Sequence, residues 1–210
     1  MTVGGALRTA LVDFYHQSWR LLILNSLLSA FVGATLLAAL WVPPMALLLV
    51  LAGPLAAALM HCAVTVARTD DLELRDALTG LRLHWRRGLA LGLVVLVVAA
   101  AGAFALAFYA RTAWPLAVLV GDVLVVFGVL QLVLWPLAVH ERTLELRAVV
   151  REALAAVLAR PLASIALALA LLAVNLAGAA AAVLPLLTLT VAYSFLAAAH
   201  FALPLGAREV

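Results

Sequence analysis

The sequence predicts an all-α, polytopic membrane bundle with six transmembrane helices and short cytoplasmic amphipathic helices. Three observations carry that expectation. The chain is 68% hydrophobic and only 11% charged over its 210 residues, against about 45–50% apolar and roughly 25% charged in an ordinary soluble domain. Six apolar stretches meet or approach the ~20 residues that a helix needs to cross a bilayer. The thirteen basic residues, all arginine, fall almost entirely on one side of the resulting topology.

Taken in order, an N-terminal interfacial helix over residues 1–20 leads into a first span, Leu21–Leu40, which Trp41-Val42-Pro43-Pro44 stops. Its apolar run exceeds the ~7–15 residues of a signal-peptide core, and no A-x-A site precedes a polar start, so it reads as a span. The second span, Met45–Ala67, contains Gly53-Pro54, where the missing backbone donor and ring clash predict a kink. Leu89–Tyr109 and Pro115–Val139 supply spans three and four. Leu162–Leu184 and Leu186–Leu203 supply spans five and six, which meet at Pro185. The whole chain is one membrane domain.

Orientation follows from the arginines. Arg8, Arg20, Arg68, Arg75, Arg82, Arg86, Arg87, Arg142, Arg147, Arg151, Arg160 and Arg208 share one side, and Arg111 stands alone on the other. Twelve against one places both termini in the cytoplasm, with the chain multi-pass in the cell membrane. Trp19, Trp41, Trp85, Trp114 and Trp135 fall near span ends, as interfacial tryptophans do.

Three cytoplasmic segments carry helical apolar stripes. Leu7, Leu11, Phe14 and Trp19 mark the N-terminal one; Leu74, Leu78, Leu81 and Trp85 mark the loop 68–88; Leu146, Val150, Leu154 and Val157 mark the loop 140–161. Asp70 with Glu73 reads as a capping box opening the second of these. Acids accompany most of the arginines locally, which favours helices that pack on the spans over recognition of anionic lipid. Arg68-Thr69-Asp70-Asp71-Leu72-Glu73-Leu74-Arg75 also resembles Arg142-Thr143-Leu144-Glu145-Leu146-Arg147, and each leads to a further Arg and a new span. This is a weak parallel repeat of the kind found in transporters.

Some chemistry is unsupported from the outset. The absence of lysine removes Schiff-base and P-loop lysine reactions. CxxC, HExxH, GxSxG and GxGxxG patterns are lacking, and Cys62 is the only cysteine. No metal site, cofactor or nucleic-acid partner is expected, and nothing supports catalysis.

Polar residues within spans are the candidates for function, because lipid makes them costly. Asp122, the only acid within a span, lies ~10 Å below the outer end of span four at 1.5 Å per residue. Asn175 in span five falls at a similar depth. The pair reads either as a proton or cation site or as a structural contact, with Arg111 a further structural partner for Asp122. Asn25, His61, Gln131 and His200 lie in the inner half, and would line a cytoplasmic vestibule if they face one cavity. Singly, each is interhelical glue. The run Ala177, Gly178, Ala179, Ala180, Ala181, Ala182, with Ala173, Thr188 and Thr190, offers a nearly side-chain-free surface, either for a partner or for packing between spans five and six.

Leu24-Asn25-Ser26-Leu27-Leu28, Gly53-Pro54-Leu55-Ala56-Ala57-Ala58 and the loop from Asp71 to Gly88, acidic at its start and Arg-rich at its end, resemble the YesL-like family of small bacterial membrane proteins. The resemblance of layout covers nearly the whole chain. It implies a six-helix membrane protein with an accessory role in bacterial carbohydrate uptake, partnered by the lipid bilayer and by a membrane protein such as a sugar permease. The alternative is a small-solute or ion transporter or channel with Asp122 at its polar centre.

Overall fold

A computed structural model describes residues 2–69, 71–180 and 189–203, and among them the chain is entirely helical outside short connections. The helices are α1 (Val3–Trp41), a 3-10 helix (Pro43–Leu51), α2 (Ala52–Thr69), α3 (Leu74–Thr112), α4 (Trp114–His140), α5 (Leu146–Ala159), α6 (Pro161–Ala180) and α7 (Val191–Ala202). Five helical segments are long and apolar enough to cross a bilayer: Trp19–Trp41, Pro43–Thr69, Leu74–Thr112, Trp114–His140 and Pro161–Ala180. α7 is a shorter apolar helix. Predicted span six is therefore described only from Leu189 onward, and the turn at Pro185 lies outside the described residues.

Burial is distributed as lipid requires and water would not permit. Trp41, Leu162 and Phe104 are 87%, 82% and 75% exposed, whereas Asn25, Thr35, His84, Ser164 and His200 are buried. A water-soluble fold of this size does not present so much contiguous apolar surface. The chain is a helical integral membrane protein.

Several boundaries differ from the sequence expectation. The interfacial helix 1–20 and the first span form one helix, α1, broken only at Gln17, whose φ of −108° and ψ of 15° are non-helical. The loop helix and span three likewise form a single 39-residue helix, α3. At 1.5 Å per residue it is ~58 Å long, well beyond a ~30 Å hydrocarbon core. Its capping box uses Glu73 and Asp76 rather than Asp70 and Glu73; Asp76 accepts from the Glu73 backbone N–H at 2.8 Å. Asp70 lies outside the described residues.

The predicted kink at Gly53-Pro54 takes another form. Residues 43–51 wind as a 3-10 helix, and the α-helix starts at Ala52. Pro54 thereby sits in the first turn of α2, where its missing N–H leaves no bond unmade. Gly53 is needed for a different reason: a Cβ there would lie 2.8 Å from the Gly92 Cα and closer still to the Gly88 carbonyl. The α2 and α3 backbones touch.

Which faces are buried also departs from the expected stripes. On α3, Leu74, Leu78 and Trp85 are 44%, 59% and 49% exposed, while Gly80, His84, Gly88 and Leu91 face inward. On α5, Val149 and Ala153 are buried and Val150 and Leu154 point outward. On α1, Ala6 and Ala10 are buried and Leu11 and Trp19 are exposed. On these faces the helix contacts are made by small residues: Gly80 against His61 and Gly88 against Pro54 on α3, Ala153 on α5, and Ala6 and Ala10 on α1.

Candidate functional site

The candidate residues are best located from the arginine-rich end of the bundle upward. There, two arginines hold the connections. Arg20, at the foot of the first span, donates to Gln17 Oε1 at 3.0 Å, to Asp71 Oδ1 at 3.1 Å and to the Leu72 carbonyl. Arg87, at the foot of the third, donates to the carbonyls of Ala138 at 3.0 Å, Glu141 at 2.7 Å, Arg142 at 2.7 Å and also Leu144. Those carbonyls include the last of α4, which have no intrahelical donor, and the guanidinium complements the negative end of the helix dipole. The same device thus closes the first two helical hairpins, which is physical content for the weak repeat. Sequence reading noted both arginines only as charges.

Four inner-half residues would line a vestibule if they faced one cavity, and singly read as interhelical glue; the structure places each in its own surroundings. His200 is bonded to Asp13 through Nε2 at 2.8 Å, with only 2% and 13% of the two side chains exposed. This ties α7 to the start of α1, as does the Tyr193 hydroxyl donating to the Leu7 carbonyl at 3.1 Å. His61 packs against Gly80, and its ring centroid lies 5.3 Å from that of His84. Asn25 is fully buried on α1. Gln131 is half-buried on α4, and its Oε1 has no hydrogen-bond partner among the described residues. No group of three or more His, Cys, Asp or Glu able to hold a metal occurs among the described residues. The buried His84 was not singled out from the sequence; its signal was Gly80 and Gly88 at helical spacing on the same face.

The pairing expected between Asp122 and Asn175 is not made. Asn175 Nδ2 donates to the Leu171 carbonyl and to Ser194 Oγ, both at 2.8 Å, and its Oδ1 accepts from Thr190 Oγ1 at 3.0 Å. Its hydrogen-bonding capacity is taken up in joining α6 to the start of α7. Thr190, expected on a small-residue surface that serves either a partner or packing between spans five and six, takes part in this joint. Within that surface, Gly178 is buried and Ala173, Ala177 and Ala180 are exposed, while Ala181, Ala182 and Thr188 lie outside the described residues.

Asp122 faces the other way. Its side chain is exposed on α4, eight residues from the helix start, and makes no hydrogen bond or ion pair among the described residues. Val118 and Val125 on the same face are 53% and 61% exposed. Gly121 and Gly128, seven residues apart, border this face together on one side, and a Cβ added at either would meet nothing within 4 Å. The face is a carboxyl group in an apolar setting with two places where another helix can approach its backbone. A transport site would need Asp122 inside the bundle; here it points away from it. No family model, curated protein or solved structure matches the chain.

Proposed function

We propose that this chain is a non-catalytic integral membrane protein that acts by associating with a second membrane protein along the outward face of α4. One observation carries this reading: Asp122 stands exposed, without a hydrogen bond or ion pair among the described residues, beside a side of the helix where Gly121 and Gly128 lie open. A charged side chain facing hydrocarbon costs about 2.5–3.5 kcal/mol at the bilayer centre. Association within a bilayer depends on close backbone approach and interhelical hydrogen bonds rather than on hydrophobicity. A partner helix seated over Gly121 and Gly128 supplies both, and gives the carboxyl a donor. The resemblance to YesL-like proteins supports a bacterial sugar permease as the partner and the cytoplasmic membrane as the location. The arginine asymmetry supports cytoplasmic termini.

The experiment is photo-crosslinking in cells from residues introduced at Val118 and Val125, with Leu169 on α6 as the control position. A second membrane protein captured from α4 and not from α6, and lost in Asp122→Leu, is the expected result. Capture that is equal from both helices, or unaffected by Asp122→Leu, overturns the proposal.

A further inference from the structure

Between α1, the 3-10 helix, α2 and α3 lies a laterally open groove of about 650 Å³, lined by Phe31, Leu51, Pro54, Leu55 and Trp85 and by one charged residue, Arg82. We propose that this groove holds an acyl chain of a membrane phospholipid whose anionic headgroup is bound by Arg82 and Arg86.

The charge argument starts from what the nearby acids do. Asp76 accepts from the Glu73 backbone N–H at the start of α3, and Asp71 pairs with Arg20. Arg75, Arg82 and Arg86 are all exposed and make no ion pair among the described residues. Spacings of seven and four put them on one face of α3. This stripe of positive charge reaches an otherwise apolar groove at Arg82.

Depth fits the same occupant. Along the α3 axis, Arg86 lies ~4.5 Å and Arg82 ~10 Å before Leu89, where the apolar run begins. Arg86 thus falls within the headgroup layer, which adds roughly 5–8 Å to each side of the hydrocarbon core, and Arg82 at its outer edge. Trp85, between them and half exposed, occupies the level at which tryptophans anchor at the interface. Guanidinium groups bind phosphate oxygens bidentately, and basic pockets between membrane helices recognise anionic headgroups. The groove walls below Arg82 offer nothing polar to a soluble ligand, and an alkyl chain is the one apolar component always present at that depth. This site is independent of the α4 face.

Native mass spectrometry of the full-length protein, solubilised with equal phosphatidylglycerol and phosphatidylcholine, tests the proposal. At roughly fivefold per arginine near a membrane surface, the wild-type chain should retain one phosphatidylglycerol with a preference of about 25-fold. Arg82→Gln with Arg86→Gln should bring the two lipids close to parity. Arg147→Gln with Arg151→Gln on α5 should leave the preference intact. Leu55→Trp, which fills the groove, should reduce retained lipid with both arginines present. No preference in the wild-type chain overturns the proposal, and that measurement depends on no variant. So does a preference that survives the Arg82/Arg86 pair of changes, one lost equally in the α5 pair, or displacement of the lipid by inorganic phosphate.

Discussion

α2 with its preceding 3-10 turn (Pro43–Thr69) and α4 (Trp114–His140) are both 27-residue segments apolar enough to cross a bilayer, yet the fold uses them in opposite ways. Of the most apolar stretch in each, 50% is buried in the first and 11% in the second. The difference lies in the small residues and what stands opposite them. Gly53 meets Gly88 and Gly92 across a backbone contact, and Ala57, Ala58 and Ala63 are buried nearby. A Cβ at Gly121 or Gly128 would meet nothing within 4 Å among the described residues. Hydropathy reports only that both segments tolerate lipid; complementarity across a helix pair decides which one becomes the centre.

The sharpest way to break this contrast is to add the same side chain to both. Gly88→Leu should cost more than about 3 kcal/mol, because the new atoms collide with backbone and cannot be accommodated by a rotamer change. A Cβ at Gly88 would already stand 2.8 Å from the Pro54 Cα. Gly128→Leu should shift stability by no more than about 0.5 kcal/mol, since it lies on an open face. Denaturant titration of the protein in mixed micelles reads both. Equal effects would mean that α4 is as packed as α2.

Next in size is Arg87→Gln, expected to cost about 2–3 kcal/mol by removing charge-assisted bonds to several carbonyls at once. Amide exchange should become faster in residues 140–145. A loss confined to α3 would argue against Arg87 as the clasp of that connection.

Asp122→Leu should act with the opposite sign, stabilising the isolated protein by about 1–2 kcal/mol by removing a carboxyl group from lipid. Destabilisation in the same micelle assay would show that Asp122 has an internal role, and the outward face would lose its claim as a docking surface. Asn175→Ala should cost about 1 kcal/mol, in keeping with the modest worth of interhelical polar contacts. Thr190→Val on an Asn175→Ala background should then add almost nothing, because the bond between them is already gone.

The comparison also shows how far the candidate sites were legible. Asp122 and Asn175 stand out in sequence because polar residues within apolar runs are conspicuous, and depth along each helix is read from residue count. Rotation about the helix axis is not read so directly. Asn175 turned towards Ser194 and Thr190, and Asp122 turned away from the bundle. His84 was missed for a related reason: a search for large apolar stripes passes over a face built from glycine and histidine. The exposed side of α3, carrying Leu74, Leu78 and Trp85, has the spacing of a buried stripe, yet the helix turns its glycine and histidine face to α2.

The sequence by itself determined that the chain is helical and lies in a membrane, because composition and apolar run length depend on no partner. It also determined where arginines meet span ends, since charge cannot enter hydrocarbon at low cost. Only the tertiary structure decided which face of each helix is inside. In a bilayer, burying a leucine gains little over leaving it in lipid, so the inward face is chosen by close fit between small residues and by shared hydrogen bonds. Those are properties of pairs of helices, and no single stretch of sequence contains them.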